Sequence, residues 1–324
     1  MRMFKSRRGF VYLLIASFAI AVILLVFLSS NAYHYQDQES LYQVRIRAMN
    51  DFVKNFNSDV HRATYIAAFR SLVALEDYTA AKGVFLNNTN EYFRKTFFYG
   101  TIDGNETTLL ENSSFEDYLS RVKELANSIG IILNVNITHI ELTQSTPWSI
   151  DVHVFADINM TDTKGLASWI YSQEYVTTLP IFDLRDPLYG VNTMNKVPNT
   201  IRINATDLVV NNNTDNLIIH VNGSYYRASS NAPNFLMRFE GNNSADINGI
   251  ESIVNVKVLF DQGVTKYDDR VKIDYLYFNN TPINASIERI CTITQVPSYY
   301  HLLIPNNSLA LYNLSGLYNP TNCT

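Results

Sequence analysis

The sequence is poor in cysteine and in charge, and it lacks the short motifs of common catalytic chemistry. Its 324 residues include two cysteines, and 17% of them are charged, with a net charge of -5. A nucleic-acid interface needs clustered positive charge, so this balance argues against a nucleic-acid partner. There is no HExxH, CxxC, GxSxG, Walker loop or dinucleotide glycine fingerprint. We therefore expect a protein that is not an enzyme and that needs no cofactor.

The six histidines are scattered along the chain without the spacing of metal ligands. His139 and His153 could approach each other across a predicted hairpin, and two imidazoles on one face can hold a metal. A lone histidine on a solvent-facing sheet is the commoner arrangement, so we expect no metal site. The 21 tyrosines and 18 phenylalanines mostly fill cores, although exposed rings could bind surface carbohydrate.

One long apolar run, residues 10–28, lies close to the N-terminus. As a helix it would span about 28 Å, near the ~30 Å of a bilayer core. Four cations precede it in residues 1–9, so the positive-inside rule predicts a cytoplasmic basic leader and an extracellular C-terminal domain. A cleaved secretory signal is the alternative, but such signals are shorter and end in small residues. We predict a single-pass cell-membrane protein in contact with the lipid bilayer.

The start of this run, Arg7-Arg8-Gly9-Phe10-Val11-Tyr12, resembles the class III signal of archaeal type IV pilin-like proteins. The resemblance implies cleavage between Gly9 and Phe10 by a prepilin peptidase, followed by assembly with like pilin subunits. It covers only about thirty residues, and Leu14 stands where many pilins carry a glutamate. An ordinary signal anchor is therefore the alternative.

The remaining polar chemistry also indicates an extracellular location. Cys291 and Cys323 can form a disulfide outside the cell, which would stabilise the fold by roughly 3 kcal/mol; two free thiols are the alternative. The sequence contains fourteen sequons for N-glycosylation, nearly three times the roughly five expected by chance. They lie at Asn87, Asn105, Asn112, Asn136, Asn159, Asn204, Asn212, Asn222, Asn242, Asn279, Asn284, Asn306, Asn313 and Asn322.

The periodicity predicts an α+β fold in several parts. Residues 31–86 have apolar positions at helical spacing and are predicted as a stalk helix, with a break at residues 57–59 as an alternative. Residues 87–182 are predicted as a helix-plus-antiparallel-sheet domain. Its elements are a short helix at 91–98, a helix capped by Ser114 and ended by Gly130, and strands at 131–142, 148–158 and 169–179.

The rest of the chain is predicted to form a separate, β-rich domain. Residues 183–199 contain turn-forming residues without apolar periodicity and are predicted as a linker. Residues 200–324 are predicted as a β-rich, sandwich-like ectodomain with strands at 217–221, 254–260, 271–278 and 287–296 and a short helix at 232–240.

These features favour a membrane-anchored surface glycoprotein with a structural or adhesive function, resembling an archaeal type IV pilin-like subunit. A permanent single-pass surface receptor or adhesin is the alternative. A second alternative is an anchored hydrolase of envelope polymers, which would need two facing carboxylates.

Overall fold

The structure is a computed structural model that describes residues 7–210, 213–279, 289–314 and 316–323. Within these ranges, the side chains of residues 7–11, 29–41 and 319–322 are not described. The described residues form a mixed fold of helices and antiparallel sheets, so the predicted α+β class is confirmed.

The longest element is helix α1, Arg7–Lys82, with 76 residues. It continues through residues 57–59, so the alternative of a break there is wrong. Apolar side chains of α1 are buried from Met49 onward, including those of Phe56, Val60 and Leu72. Gly83 ends the helix in the left-handed conformation (φ +65°), and its N–H bonds the Thr79 carbonyl at 2.9 Å.

No helix in the described part of the chain is long and apolar enough to cross a membrane. The run at residues 10–28 lies within α1. Its first two side chains, Phe10 and Val11, fall outside the described set.

Next come α2, Thr89–Tyr99, a small hairpin of β1 (Thr101–Ile102) and β2 (Asn105–Glu106), and α3, Phe115–Ser128. The predicted capping box is present: Ser114 Oγ accepts from Asp117 N–H, and the Asp117 carboxylate accepts from Ser114 N–H. Gly130 follows α3 with φ +75°, and the chain turns there into the sheet.

The predicted hairpin and third strand are confirmed as one antiparallel sheet in the order β3-β4-β5. The strands are β3 (Ile131–Thr146), β4 (Ser149–Asp162) and β5 (Ser168–Pro180). Alternate β4 side chains are buried, including Val152, Val154 and Ile158, and they share a core with α1, α2 and α3. The other face of the sheet is open, as period-two alternation predicts.

The prediction of a linker at residues 183–199 is wrong. Helix α4, Pro187–Thr193, forms there, capped by the Asp186 side chain, and most of its residues are buried. Its Gly190 approaches α1 closely, since a Cβ at Gly190 would meet the Ala80 Cβ at 3.2 Å. Turn-forming residues here serve as a helix cap and as a close helix contact, which the sequence pattern does not distinguish from a loop.

After α4, the described residues of the C-terminal part form short helices and short strands. These are α5 (Asp215–Gly223), β6 (Tyr226–Ala228), α6 (Phe235–Phe239), β7 (Ile250–Ser252), α7 (Val256–Asp261), α8 (Asp274–Phe278), β8 (Ile290–Ile293), β9 (Leu303–Pro305), α9 (Asn306–Leu311) and β10 (Tyr318–Cys323). The strands form two small sheets with the orders β6-β7 and β10-β8-β9, and no sandwich forms among the described residues.

The sequence predicts four strands in this part, and the prediction is wrong for three of them. The segments 217–221, 254–260 and 271–278 contribute to α5, α7 and α8, whereas 287–296 contains β8 and 232–240 contains α6. A short apolar run fits a buried strand and a buried helix equally well. The local cap decides at α7, where the Asn255 side chain accepts from the N–H groups of Lys257 and Val258.

Candidate functional site

A contiguous exposed apolar surface lies on residues 12–28 of α1, the apolar stem. Every side chain in this range is exposed, and the large apolar ones range from 43% exposed at Val22 to 73% at Tyr12. Exposed apolar patches larger than a few hundred Å² are unusual in soluble monomers and mark candidate interaction surfaces. The predicted processing residues Gly9 and Phe10 lie just before it in α1, and their side chains are outside the described set.

A charged joint fixes the direction in which α1 leaves the sheet. Arg45 donates from Nε to Asp162 Oδ1 and from Nη2 to the Gly130 carbonyl, both at 2.5 Å. The hydrogen bond from Arg45 lowers the pKa of Asp162. Asp162 Oδ2 also accepts from the N–H of Lys164 at 2.9 Å, so the Arg45–Asp162 pair connects α1 to the loop between β4 and β5 and to the turn between α3 and β3.

The open face of the β3-β4-β5 sheet brings the two candidate histidines near each other. Both rings contact Phe155, with centroid distances of 5.8 Å for His139 and 6.5 Å for His153. His153 uses both ring nitrogens, Nδ1 with Glu174 at 2.7 Å and Nε2 with Thr143 Oγ1 at 3.0 Å. Among the described residues no group of three or more His, Cys, Asp or Glu side chains could hold a metal ion.

A buried polar cluster lies where α4, α6, β7 and α8 meet. Arg238 Nη1 donates to Asp186 Oδ2 at 2.6 Å and to Asp274 Oδ2 at 3.0 Å, and none of these three side chains is exposed. Asp186 also accepts from Tyr226 Oη at 2.7 Å, and Asp274 accepts from Ser252 Oγ at 2.9 Å. One guanidinium therefore connects four short elements that share no sheet.

This cluster brings two carboxylates, those of Asp186 and Asp274, to one guanidinium, but both side chains are buried. Burial raises the pKa of Asp274, and the neighbouring Asp186 adds to the rise. The pairing with both carboxylates outweighs burial for Arg238 and raises its pKa. A polymer chain cannot reach a pair with no exposed surface, so this pair gives no support to the hydrolase alternative.

Burial shifts the pKa values of three further groups, Glu76, Glu251 and His220. Burial raises the pKa of Glu76 to about 8 and that of Glu251 to about 7, and it lowers the pKa of His220 to about 4. Among the described residues, no hydrogen bond reaches Glu76 Oε1, either Glu251 oxygen or either His220 ring nitrogen. The other Glu76 oxygen, Oε2, lies 3.5 Å from Arg185 Nε. The sequence analysis missed these residues, because single polar residues within apolar runs give no signal of burial.

The sequon asparagines lie mostly at the surface of the described residues. Asn212, Asn284 and the side chain of Asn322 lie outside the described set, and Asn159, Asn204 and Asn279 are half-buried. The exposed ones are Asn87, Asn105, Asn112, Asn136, Asn222, Asn242, Asn306 and Asn313.

The two cysteines lie at disulfide distance, with a Cα–Cα separation of 4.1 Å, and join β8 to β10 as the sequence predicts. The bridge lies in the three-stranded C-terminal sheet, where the two cysteines are opposite each other on neighbouring strands.

Comparisons with known proteins give no relatives: no family model, no curated protein and no solved structure matches this chain.

Proposed function

We propose that the protein is a membrane-anchored surface glycoprotein with a structural or adhesive function, similar to an archaeal type IV pilin-like subunit. The observation that carries this proposal is the apolar stem, whose side chains at residues 12–28 are all exposed. Lipid tails or the stems of like subunits would cover it, at a gain of about 25 cal/mol per Å² of apolar surface removed from water.

The mechanism is an exchange of apolar environments. Cleavage after Gly9 would remove the cationic leader and leave Phe10 as the first residue of a helix whose first segment, residues 10–28, carries no charged side chain. Such a helix can leave the bilayer for a bundle of like stems, because both environments cover the same apolar side chains. The Arg45–Asp162 joint would hold the head, meaning the chain from residue 87 onward, in a fixed direction relative to the stem.

The distribution of sequons supports an extracellular head. None occurs before Asn87 although the stalk contains asparagines, and eight of the described sequon asparagines are exposed. Glycans on the head would leave the stalk free to contact other molecules.

The experiment is mass spectrometry of the full chain purified from its native host, with shearing of intact cells. A mature N-terminus at Phe10 and release of the protein with sheared filaments support a pilin-like subunit. An intact Met1-to-Gly9 leader contradicts processing. A Gly9→Leu variant serves as the control, since it blocks cleavage at that bond without changing the apolar run.

A permanent receptor or adhesin is the second candidate, and Leu14 favours it because the glutamate of many pilins is absent there. In that case the leader stays intact, the protein remains with the membrane after shearing, and protease added to intact cells still degrades the head. A head that is protected from protease in intact cells would contradict both candidates.

A further inference from the structure

Strand β5 is a long edge strand with an unused row of backbone groups. Within the part of the chain that the structure describes it pairs only with β4, and it contains one charged residue, Glu174, in thirteen. Sheet edges of this kind are templates for pairing with another strand, and proteins usually block them with lysines, prolines or a covering element. Here every residue in the N-terminal half of the strand, residues 168–174, is exposed or half-buried.

The hydrogen bonds at the two ends of β5 show which residues face outward. Asp162 N–H donates to the Ala167 carbonyl, and Ile181 N–H donates to the Trp148 carbonyl, in the register of the β4-β5 ladder. Hydrogen-bonded residues alternate along an antiparallel strand, so the odd-numbered residues of β5 bond β4. The even-numbered residues therefore direct their N–H and C=O groups away from the sheet. Among the hydrogen bonds of the described residues, only Gln173 Nε2 reaches this outer edge, at the Glu174 carbonyl.

The side chains on this edge are complementary to themselves. In an antiparallel pair centred on Gln173, Ile170 lies opposite Val176 of the second copy, and Ser172 lies opposite Glu174. Ile170 is 76% exposed and Val176 is 42% exposed, so the pairing covers two exposed apolar side chains on each copy. Moving the centre by one residue to Glu174 places two carboxylates face to face, which is unfavourable.

We propose that β5 pairs with β5 of a second copy of this chain, antiparallel and centred on Gln173, to form a continuous six-stranded sheet. The two stems then point in opposite directions. This follows because α1 runs parallel to β5: Arg45 binds Asp162 before the strand, and His61 contacts Thr177 near its end.

Such a pair does not join neighbours in one bilayer. It joins copies that face each other from two surfaces, or copies released from a membrane. The partner in the adhesive part of the proposed function would then be a second copy of this chain. The pairing itself does not depend on anchoring: an unprocessed leader would not affect it, and a monomeric chain would leave the anchoring proposal intact.

The first test is cysteine cross-linking of the full chain in detergent. Gln173→Cys places two thiols on the symmetry axis, where opposed residues have Cα atoms roughly 4.5 Å apart, within the range of a disulfide. We expect mild oxidation to give disulfide-linked dimers of this variant. Glu174→Cys and Thr178→Cys are the matched controls, since their thiols lie off the axis. Equal or stronger dimer formation by a control, or none by Gln173→Cys, overturns the proposal.

The second test uses light scattering of the full chain without cross-linking. Ile170→Lys puts a charge on the pairing edge, and we expect at least a tenfold weaker dimer. Ile247→Lys is the control, because Ile247 is 83% exposed elsewhere and should not affect pairing. In the double variant Ile170→Lys, Val176→Glu, the lysine lies opposite the glutamate of the second copy and dimerisation should return. A monomeric wild type, or equal effects of both lysines, contradicts the proposal.

Discussion

Arg238 is a cation without any exposed side-chain surface, held between two carboxylates that are equally buried. Burying an isolated charge costs several kcal/mol, and only close pairing with further hydrogen bonds offsets that cost. The Arg238 guanidinium also donates to the Ile250 carbonyl, so it connects α6 to β7 as well as to the two acids. The residue therefore acts as a structural centre for the C-terminal part.

Replacing this arginine should strongly destabilise the fold. Arg238→Met leaves Asp186 and Asp274 as like charges in the core, and we expect a loss of about 3 to 5 kcal/mol in the free energy of unfolding. Urea denaturation followed by circular dichroism measures it. Arg70→Met, at an exposed position of α1, is the control and should change stability by less than about 0.5 kcal/mol. Equal stability of the two variants would contradict the role assigned to Arg238.

Glu76 makes the stability of the protein depend on pH. Its pKa is raised to about 8 in the folded state, against 4.5 for the ordinary side chain. Between these values the folded state binds more protons than the unfolded state, so stability falls as pH rises, at up to about 1.4 kcal/mol per pH unit. Glu251, with its pKa raised to about 7, acts in the same direction over a narrower range.

Glu76→Gln should therefore reduce the pH dependence of stability. The amide mimics the protonated acid, so we expect little change in stability at pH 5 and a more stable protein at pH 8.5. Urea unfolding at pH 5, 6, 7 and 8.5 measures the slope. Glu124→Gln, at an exposed position of α3, is the control. An unchanged slope in Glu76→Gln would mean that Glu76 is ionised in the folded protein at neutral pH.

At the scale of elements, long periodic segments were predictable from the sequence and short ones were not. Strand β4 alternates over all 14 of its residues, β3 alternates on either side of a bulge between Ile137 and His139, and the capping box at Ser114 has a local signature. The helices α7 and α8 have six and five residues, too few to show a period, and tertiary packing decides their conformation. The same limit applies to the buried cluster, because Asp186, Arg238 and Asp274 are far apart in sequence. The apolar stem was visible because it is one contiguous run.

Two glycines allow a test of the Arg45–Asp162 joint. Gly130 lies in the turn before β3, and Gly165 lies in the loop between β4 and β5. Gly130 and Gly165 both have left-handed φ values, +75° and +70°. A Cβ at Gly165 would meet nothing within 4 Å, whereas a Cβ at Gly130 would collide with the Arg45 guanidinium. We expect Gly165→Ala to cost about 1 kcal/mol from backbone strain alone. Gly130→Ala should cost clearly more, because it also displaces Arg45 from Asp162. Thermal unfolding compares the two, and equal losses would show that the Arg45 contact contributes little.

At the scale of the whole molecule, the two halves share one core. The cluster that contains Phe93 and Phe97 of α2 also contains Phe235 and Phe239 of α6. Backbone and side-chain contacts reinforce it: Leu86 N–H donates to the Phe239 carbonyl at 2.8 Å, and Arg185 pairs with Glu76 of α1. Residues 183–199, which the sequence predicts as a linker, thus lie against this shared core, and Leu184 is part of it.

A shared interior predicts one cooperative unfolding transition rather than two. Trp148 and Trp169, the only tryptophans, report on the sheet of the first half by fluorescence. Hydrogen exchange of peptides covering α6 and β7 reports on the second half. In urea, with the full chain in detergent, both signals should change with the same midpoint, because losing either half exposes the phenylalanines that bury the other. Arg238→Met should lower both midpoints together, although its substitution lies only in the second half. Separate midpoints, or a shift confined to hydrogen exchange in α6 and β7, would instead indicate two units that unfold independently, with residues 183–199 acting as the flexible connection between them.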